Sequence, residues 1–379
     1  MRTIDITERE AGQRLDKFLG KYMSLAPKSF FYKMLRKKNI VLNGKKADGS
    51  ERLAAGDCLT LYLSEETIGK FSENRVLCHG GSPATGGLRD HREKKMTGSG
   101  FEKSLSFSLL YEDANILALN KPWGMLTQKA KPEDLSLNEY MTEWLLDTGR
   151  MTEEQLRTQK PSVCNRLDRN TSGIVLAGIS LKGLQGLSRI LKDRTGEKRY
   201  YALVWGQVKE PERLKGYLVK DTKTNQARVF SDKNDVLLEK GRKQDTEDAG
   251  SMADAKYIET AYRPLSFGGG CTLLEIHLIT GRSHQIRAQL SAKGHFIIGD
   301  PKYGRQEINR EFSRKYGLKG QLLHAGMFVM PTENCPFPGL AGKKFTAPLE
   351  SRFVSVLDDL GIPVPAELKR EEISGNGRK

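Results

Sequence analysis

Residues 165–176 read Asn165-Arg166-Leu167-Asp168-Arg169-Asn170-Thr171-Ser172-Gly173-Ile174-Val175-Leu176. A polar loop with one carboxylate between two arginines runs directly into an apolar segment that predicts a buried strand. The end of a rigid strand can hold a side chain in a fixed position, as a catalytic group requires. The flanking arginines favour the ionised form of Asp168, which makes it a candidate nucleophile or base. An ordinary turn with surface salt bridges is the alternative interpretation of these residues alone.

Strand and helix patterns surround this segment. Residues 107–111 and 116–120 flank a polar turn and predict an antiparallel hairpin. Ser136-Leu137-Asn138-Glu139 is a capping-box pattern that begins a helix. Further strands are predicted at 174–177, 200–208 and 272–279, and further helices at 181–193 and 284–292. The hairpin favours an α+β fold on a mainly antiparallel mixed sheet over a doubly wound parallel sheet.

A separate small unit is predicted at the N-terminus. Two helices, from Arg14 and over 28–37, precede an Asn43-Gly44 hairpin signal and a closing strand at 57–63. Residues 1–64 contain 13 basic and 7 acidic residues. Exposed cations on one face would contact phosphates, and a solvated helix face is the alternative. The candidate RNA-binding residues here are Lys33, Arg36, Lys37, Lys38 and Lys45.

Composition divides the chain further. Residues 1–65 are the expected N-terminal domain, and the stretch 66–104, rich in Gly, Ser and charge, is an expected flexible linker. The expected catalytic domain is 105–362, with a polar tail at 363–379. Residues 232–256 resemble an inserted flexible loop.

The bulk properties favour a nucleic-acid partner. The net charge of +15 over 379 residues attracts polyanions. Five widely spaced cysteines fit a reducing cytosol rather than a disulfide framework. No apolar run approaches a membrane span, so we expect a cytoplasmic protein with no membrane contact. Cys78-His79 and His91 resemble metal ligands only weakly, and we predict no metal and no organic cofactor.

Two resemblances sharpen these expectations. The stretches Gly12–Leu19, Arg36–Lys45 and Arg52–Asp57 resemble the S-four-like RNA-binding domain. The segment around Asp168 resembles the signature of the RluA-type pseudouridine synthases, which modify ribosomal and transfer RNA. Further blocks that match this family in the same order are Tyr111–Gly124, Lys198–Gly206, Thr280–Arg287, Gly299–Gly304 and Leu323–Ala325.

The resemblance implies a function and a set of site residues. It implies an enzyme that isomerises uridine to pseudouridine in RNA, with large-subunit ribosomal RNA as the expected substrate. We also expect the protein to be a monomer. Asp168 matches the catalytic aspartate, Tyr200 the tyrosine that packs on the target base, and Arg287 the basic partner of the aspartate. Arg166 matches an arginine that contacts RNA near the flipped nucleotide. The family assigns its chemistry to the aspartate, so His284 and His324 are expected to be structural.

The sequence departs from the family pattern at two positions, and two alternative functions remain. Asn165 and Gln289 stand where histidine is commoner in the family. A non-catalytic RNA-binding factor for ribosome assembly is one alternative function. A glycosidase-like enzyme acting on free nucleosides is the other, although a small neutral substrate needs no basic surface.

Overall fold

The computed structural model describes residues 1–8, 10–71, 107–221, 226–236 and 255–369. These residues form two compact units. The smaller unit contains 1–71, 145–160 and 180–182, and the larger unit contains 107–144, 161–179 and 183–369. The predicted boundary between the domains therefore differs from the observed units, because two short segments from within 105–362 belong to the smaller one.

The smaller unit packs helices on an antiparallel sheet. The described strands of this sheet have the order β1-β4-β2-β3. Asn43 and Gly44 turn the predicted hairpin with φ values of 51° and 70°, as a two-residue type I′ turn requires. The elements are β1 Arg2–Asp5, α1 Leu15–Tyr22, α2 Lys28–Arg36, β2 Ile40–Leu42, β3 Lys45–Lys46, β4 Cys58–Leu61 and α3 Glu65–Phe71.

The last helix of this group corrects the predicted linker. Ile68 is 1% exposed and belongs to the apolar core of the smaller unit. Phe71 lies against Phe30 with ring centroids 4.7 Å apart. The expectation that a flexible linker begins at residue 66 is therefore wrong, because residues 65–71 form a helix that buries apolar side chains. The rest of the predicted linker, 72–104, lies outside the described residues.

The larger unit is built on one mixed sheet. Within the described ranges it has eleven strands, with β11-β10-β12-β13-β9-β14-β8-β6-β5 as the main path, β15 beside β14 and β7 beside β8. The strands are β5 Ser108–Glu112, β6 Ile116–Lys121, β7 Ser162–Val163, β8 Ser172–Gly178, β9 Glu197–Trp205, β10 Glu212–Lys220, β11 Ala227–Phe230, β12 Lys256–Gly268, β13 Cys271–Leu278, β14 Leu323–Val329 and β15 Lys344–Thr346.

Helices accompany this sheet, and the predicted α+β class with a mainly antiparallel mixed sheet is confirmed. The remaining helices in chain order are α4 Leu137–Asp147, α5 Glu153–Thr158, α6 Leu181–Asp193, α7 Gln285–Ala292, α8 Gln306–Tyr316 and α9 Ser351–Asp359. Of these, α5 belongs to the smaller unit. Among the described strands of this sheet, only β8 and β14 pair in parallel, through His324 opposite Ser172 and Ala325 opposite Gly173. None of the helices in the described part of the chain is long and apolar enough to cross a membrane.

Gly173 allows β8 and β14 to approach closely. Its φ is 109°, and a Cβ atom there would lie 2.2 Å from the carbonyl oxygen of Ala325. Any side chain would therefore push the two strands apart. Because Asp168 lies just before β8, this close approach also fixes the start of the strand that supports the candidate catalytic loop.

The C-terminal segment extends further than predicted. Leu368 is fully buried, and the backbone N–H of Leu349 donates to its carbonyl oxygen at 3.0 Å. Residues 363–369 therefore pack on the larger unit and do not form part of a frayed tail. The rest of the predicted tail, and residues 237–254 of the predicted insert, lie outside the described residues.

Candidate functional site

The loop that carries Asp168 is held by hydrogen bonds on both sides. The Asn165 side chain accepts from the Leu176 N–H at 2.7 Å and donates to the Ile174 carbonyl at 3.1 Å. The Leu167 N–H donates to the Thr127 hydroxyl at 3.1 Å, and that hydroxyl donates back to the Leu167 carbonyl at 2.8 Å. These bonds fix the backbone on both sides of the aspartate, as a preorganised catalytic group requires.

A buried lysine supports the same loop. The Lys121 ammonium donates to the carbonyl oxygens of Pro122 and Met125, both at 2.8 Å, and of Arg169 at 3.2 Å. Lys121 is fully buried, and burial lowers the pKa of its ammonium to about 7, although the charges of Glu350 and Asp168 act in the opposite direction. Lys121 therefore joins the loop after β6 to the residue that follows Asp168.

Arg287 links two aspartates. Its Nη1 donates to Asp168 Oδ2 at 2.7 Å. Its Nε and Nη2 donate to the two oxygens of Asp300 at 2.7 and 2.8 Å, which forms a bidentate pair. Arg287 is 5% exposed and Asp300 is fully buried. Burial opposes the charge on Arg287, but the bonds and charges of Asp300 and Asp168 outweigh it and raise the Arg287 pKa.

Asp300 is itself fixed by the backbone. Its Oδ1 also accepts from the N–H groups of Lys302 at 2.9 Å and Tyr303 at 3.1 Å. The orientation of the Arg287 guanidinium, and through it of the Asp168 carboxylate, therefore depends on a carboxylate with four hydrogen bonds.

His284 lies beside Asp168, with its Nε2 atom 4.0 Å from Asp168 Oδ2. The Tyr303 hydroxyl accepts from the Ala227 N–H at 2.7 Å and lies 3.0 Å from His284 Nδ1. If the tyrosine proton goes to Nδ1, the neutral imidazole carries its own proton on Nε2, which faces the aspartate. Burial lowers the His284 pKa, and Asp168 opposes this effect.

Tyr200 belongs to the same site. It lies on β9, is 8% exposed, and lines the cavity that also contains Asp168 and Arg287. Burial, followed by the charge of Asp168, raises the pKa of its hydroxyl, so the phenol stays neutral. Its aromatic ring is available for stacking on a base.

The cavity has a volume of about 620 Å³ and is open to solvent. Arg166, which is exposed, lines it as well. The structure therefore brings together Asp168, Tyr200, Arg287 and Arg166 around one space. The cavity lining contains one carboxylate, that of Asp168, and more cationic side chains. These are Arg166, Lys192, Arg194, Lys198, Arg282 and Arg287.

The N-terminal candidates form a second location, on the smaller unit. All five side chains are exposed, and within the described residues none has an acidic partner within 4.0 Å. Lys33 and Arg36 lie in the last turn of α2, Lys37 and Lys38 follow it, and Lys45 begins β3.

Sequence reasoning gave no role to Asp300, Tyr303 or Lys121 and expected His284 to be structural. The available signal was the segment Gly299-Asp300-Pro301-Lys302-Tyr303-Gly304, where a single glycine separates a carboxylate from the apolar residues 296–298. An unpaired buried aspartate is costly, so such a position calls for a cationic partner. The sequence does not identify that partner, because the contact between the two residues forms only in the tertiary structure.

No metal centre is assembled in the described ranges, where His, Cys, Asp and Glu side chains do not gather in threes. Cys78, His79 and His91 lie outside the described residues.

Comparisons with known proteins agree on one family. Residues 115–292 match the model of the family described as RNA pseudouridylate synthase. "Ribosomal large subunit pseudouridine synthase C" of Vibrio vulnificus (strain CMCP6) is 26% identical over 364 residues, 94% of this chain and 96% of that protein. The protein of the same name from Vibrio cholerae is 29% identical over 336 residues, 86% of this chain and 89% of that protein.

A solved structure supports the fold. "Human RNA Pseudouridylate Synthase Domain Containing 4" superposes with a TM-score of 0.51 at 20% identity, covering 68% of this chain and 94% of that one.

Proposed function

Since residues 115–292 match the model of the RNA pseudouridylate synthase family, we propose that the chain belongs to this family and converts uridine to pseudouridine in large-subunit ribosomal RNA. The relatives named above are ribosomal large subunit pseudouridine synthases, which supports this substrate. We further propose that the protein acts as a cytoplasmic monomer and needs neither a metal nor an organic cofactor.

One observation carries the assignment of the site. Asp168 accepts from Arg287, Arg287 is held by buried Asp300, and Tyr200 lines the same cavity. We assign Asp168 as the catalytic carboxylate, Arg287 as the group that orients it, and Tyr200 as the ring that packs on the target base. Arg166, exposed at the cavity, contacts the RNA beside the flipped nucleotide.

The proposed chemistry needs only these groups. The bond between N1 of uracil and C1′ of ribose breaks, the base rotates, and C5 bonds to C1′, while C5 loses its proton and N1 gains one. The carboxylate either attacks C1′ or assists elimination at the sugar, as glycosidase carboxylates act at oxocarbenium-like centres. A neutral aromatic ring holds the detached uracil without requiring one orientation.

Binding the target has an energetic cost that the basic surfaces offset. Flipping a nucleotide out of its stack costs roughly a few kcal/mol. Cationic contacts to phosphates supply favourable free energy. The α2 and hairpin residues Lys33, Arg36, Lys37, Lys38 and Lys45 are proposed to provide such contacts from the smaller unit.

The proposal predicts that Asp168→Asn abolishes turnover. Tritium release from large-subunit ribosomal RNA labelled at C5 of uracil would be measured with wild type and variant. The amide keeps the shape of the side chain but removes the nucleophilic charge, so we expect a loss of at least about 1,000-fold. RNA affinity should change little.

Asp358→Asn is the matched control, because Asp358 is an exposed aspartate on α9 and should leave tritium release unchanged. Turnover retained by Asp168→Asn would remove Asp168 from its role. Absence of release with wild type, combined with intact RNA binding, would favour a non-catalytic assembly factor instead.

A further inference from the structure

One wall of the cavity carries cations to which the proposed reaction assigns no role. Lys192 and Arg194 lie at the C-terminal end of α6 and just beyond it, and Lys198 lies on β9. All three line the cavity together with Asp168 and Tyr200. Lys192 and Arg194 are exposed, and Lys198 is half-buried.

Lys198 occupies a distinctive position on its strand. It precedes Tyr200 by two residues, so both side chains point to the same face of β9. Its Nζ lies 3.4 Å from the position that a Cβ atom of Gly281 would take, beside the loop that leads to α7. The ammonium is therefore placed between the target-base residue and the segment that carries Arg287.

The neighbouring residue Arg199 has acidic partners, whereas Lys198 has none within the described residues. Arg199 points to the opposite face and pairs with Glu197 at 2.8 Å and with Glu275 at 3.0 Å. Within the part of the chain that the structure describes, Lys198 has no acidic side chain within 4.0 Å and no side-chain hydrogen bond. One face of β9 is neutralised by the protein, and the other presents an uncompensated cation to the cavity.

The surroundings of Lys198 disfavour its positive charge. Burial lowers the pKa of its ammonium, and the positive charge of Arg194 lowers it further. Placing two cations close together in a partly enclosed space is unfavourable unless an anion joins them. Asp168 is already paired with Arg287, so it does not supply that anion.

We propose that Lys198 and Arg194 bind an RNA backbone phosphate next to the target uridine. This proposal rests on the proposed RNA substrate. A phosphodiester has the charge that this wall lacks, and phosphate contacts fix the register of a nucleic acid on a protein. The flipped nucleotide then places its base towards Tyr200 and its sugar towards Asp168 while the phosphate remains at the cation wall.

The first test compares RNA affinity in Lys198→Gln, Lys198→Arg and the control Lys209→Gln. Lys209 is an exposed lysine outside the cavity, so this control changes the net charge equally. Binding to large-subunit ribosomal RNA transcripts would be measured between 50 and 200 mM salt. Loss of one phosphate contact should weaken binding several-fold and reduce the slope of log affinity against log salt by about 0.7. Lys198→Arg should retain both values.

The second test identifies the phosphate. Short RNAs around the mapped target would carry a neutral methylphosphonate at one position at a time. At the contacted position the replacement should weaken binding of wild type several-fold and have a smaller effect on Lys198→Gln, which keeps only the Arg194 contact. At other positions both proteins should respond equally.

Equal affinity and salt slope in Lys198→Gln and Lys209→Gln would overturn the proposal. If circular dichroism shows that Lys198→Gln is misfolded, the exposed Arg194→Gln replaces it with the same expected losses. Binding does not depend on turnover, so this result is separate from the tritium assay. Absence of tritium release with wild type, with RNA binding intact, would refute the proposed function. Unchanged binding by Lys198→Gln would refute the phosphate site.

Discussion

At the scale of residues, the site depends on a guanidinium shared between two carboxylates of different character. Asp168 is 28% exposed on its side chain, whereas the Asp300 side chain is fully buried. The exposed member can meet a substrate, and the buried member fixes the arginine. The sequence indicated Asp168 because two arginines flank it in one loop. It gave no role to Asp300, because that residue acquires its partner only when α7 packs beside the 299–304 segment.

We predict that Asp300→Asn damages both stability and turnover. An amide cannot accept a bidentate charge-assisted pair, so Arg287 would lose its fixed orientation and most of its buried counter-charge. Breaking a buried ion pair in this way costs about 3–5 kcal/mol. Urea unfolding would measure the stability, and tritium release would show a lower kcat at saturating RNA.

Asp359→Asn provides the comparison for this prediction. Asp359 pairs with Lys315 at 2.6 Å, but both side chains are about half exposed. An exposed ion pair contributes little to stability, and neither Asp359 nor Lys315 lines the cavity. Equal destabilisation by the two substitutions would contradict the role of Asp300.

At the scale of elements, local sequence patterns predicted the helices, strands and turns that depend on residues close together in the sequence. The Asn43-Gly44 hairpin, the helix over 28–36 and the strand after Asp168 follow from turn chemistry and periodicity. The parallel neighbours β8 and β14 do not, because they pair residues about 150 positions apart, as His324 with Ser172. The helix over 65–71 was missed because a short polar helix with one buried isoleucine resembles in composition the polar sequence that follows it.

The link between β8 and β14 contains a buried histidine. His324 Nδ1 lies 2.8 Å from the Ser172 hydroxyl, and its Nε2 lies 3.0 Å from the Ala347 carbonyl. A carbonyl can only accept, so Nε2 carries the proton and the serine donates to Nδ1. Burial lowers the His324 pKa to about 4, although the bond to Ala347 acts in the opposite direction. The bond that Nδ1 accepts from Ser172 requires the neutral ring.

This histidine predicts a dependence of stability on acidity. In the unfolded chain it takes up a proton near its ordinary pKa of about 6.5, whereas the folded chain takes it up near 4. Between these values the unfolded state binds more protons, so stability falls as the pH falls from 6.5 to 4 and is unaffected above 6.5.

His324→Gln should remove this pH dependence of the unfolding free energy. At pH 7 the variant should be less stable than wild type, because it loses well-placed hydrogen bonds. Below pH 6.5 the difference in unfolding free energy should narrow by up to about 1.4 kcal/mol per pH unit. Urea unfolding at several pH values would measure it, and a constant difference from pH 7 to 4.5 would contradict the prediction.

At the scale of the whole molecule, two units carry two kinds of basic surface. One lines a cavity beside a carboxylate, and the other follows α2 on the smaller unit. The sequence predicted both locations, since the motif blocks and the N-terminal charge surplus are local features. It did not predict the assignment of 145–160 and 180–182 to the smaller unit, because that follows from packing between segments distant in the chain.

We predict that the α2 surface contributes affinity rather than chemistry. Replacing Lys33, Arg36 and Lys37 together by Gln should weaken binding to ribosomal RNA at least about tenfold at physiological salt. The salt slope should fall by about 2–3, since each lost phosphate contact removes about 0.7–0.9. The maximal rate of tritium release at saturating RNA should stay close to wild type.

A triple Gln variant of Lys209, Lys215 and Lys256 is the control, because these exposed lysines lie on the larger unit away from the cavity lining. It removes the same charge and should retain most of the affinity. A fall in the maximal rate, with affinity unchanged, would place the α2 surface in the chemistry instead.

The central position of β14 sets an order of events during synthesis. This strand lies between β8, which follows Asp168, and β9, which carries Tyr200. The sheet therefore cannot bring these strands together until residues 323–329 have left the ribosome. Chains emerge from the N-terminus, so the basic smaller unit is exposed before the cavity exists. With the proposed roles of the two surfaces, the nascent protein acquires the means to hold RNA well before it acquires the means to alter it.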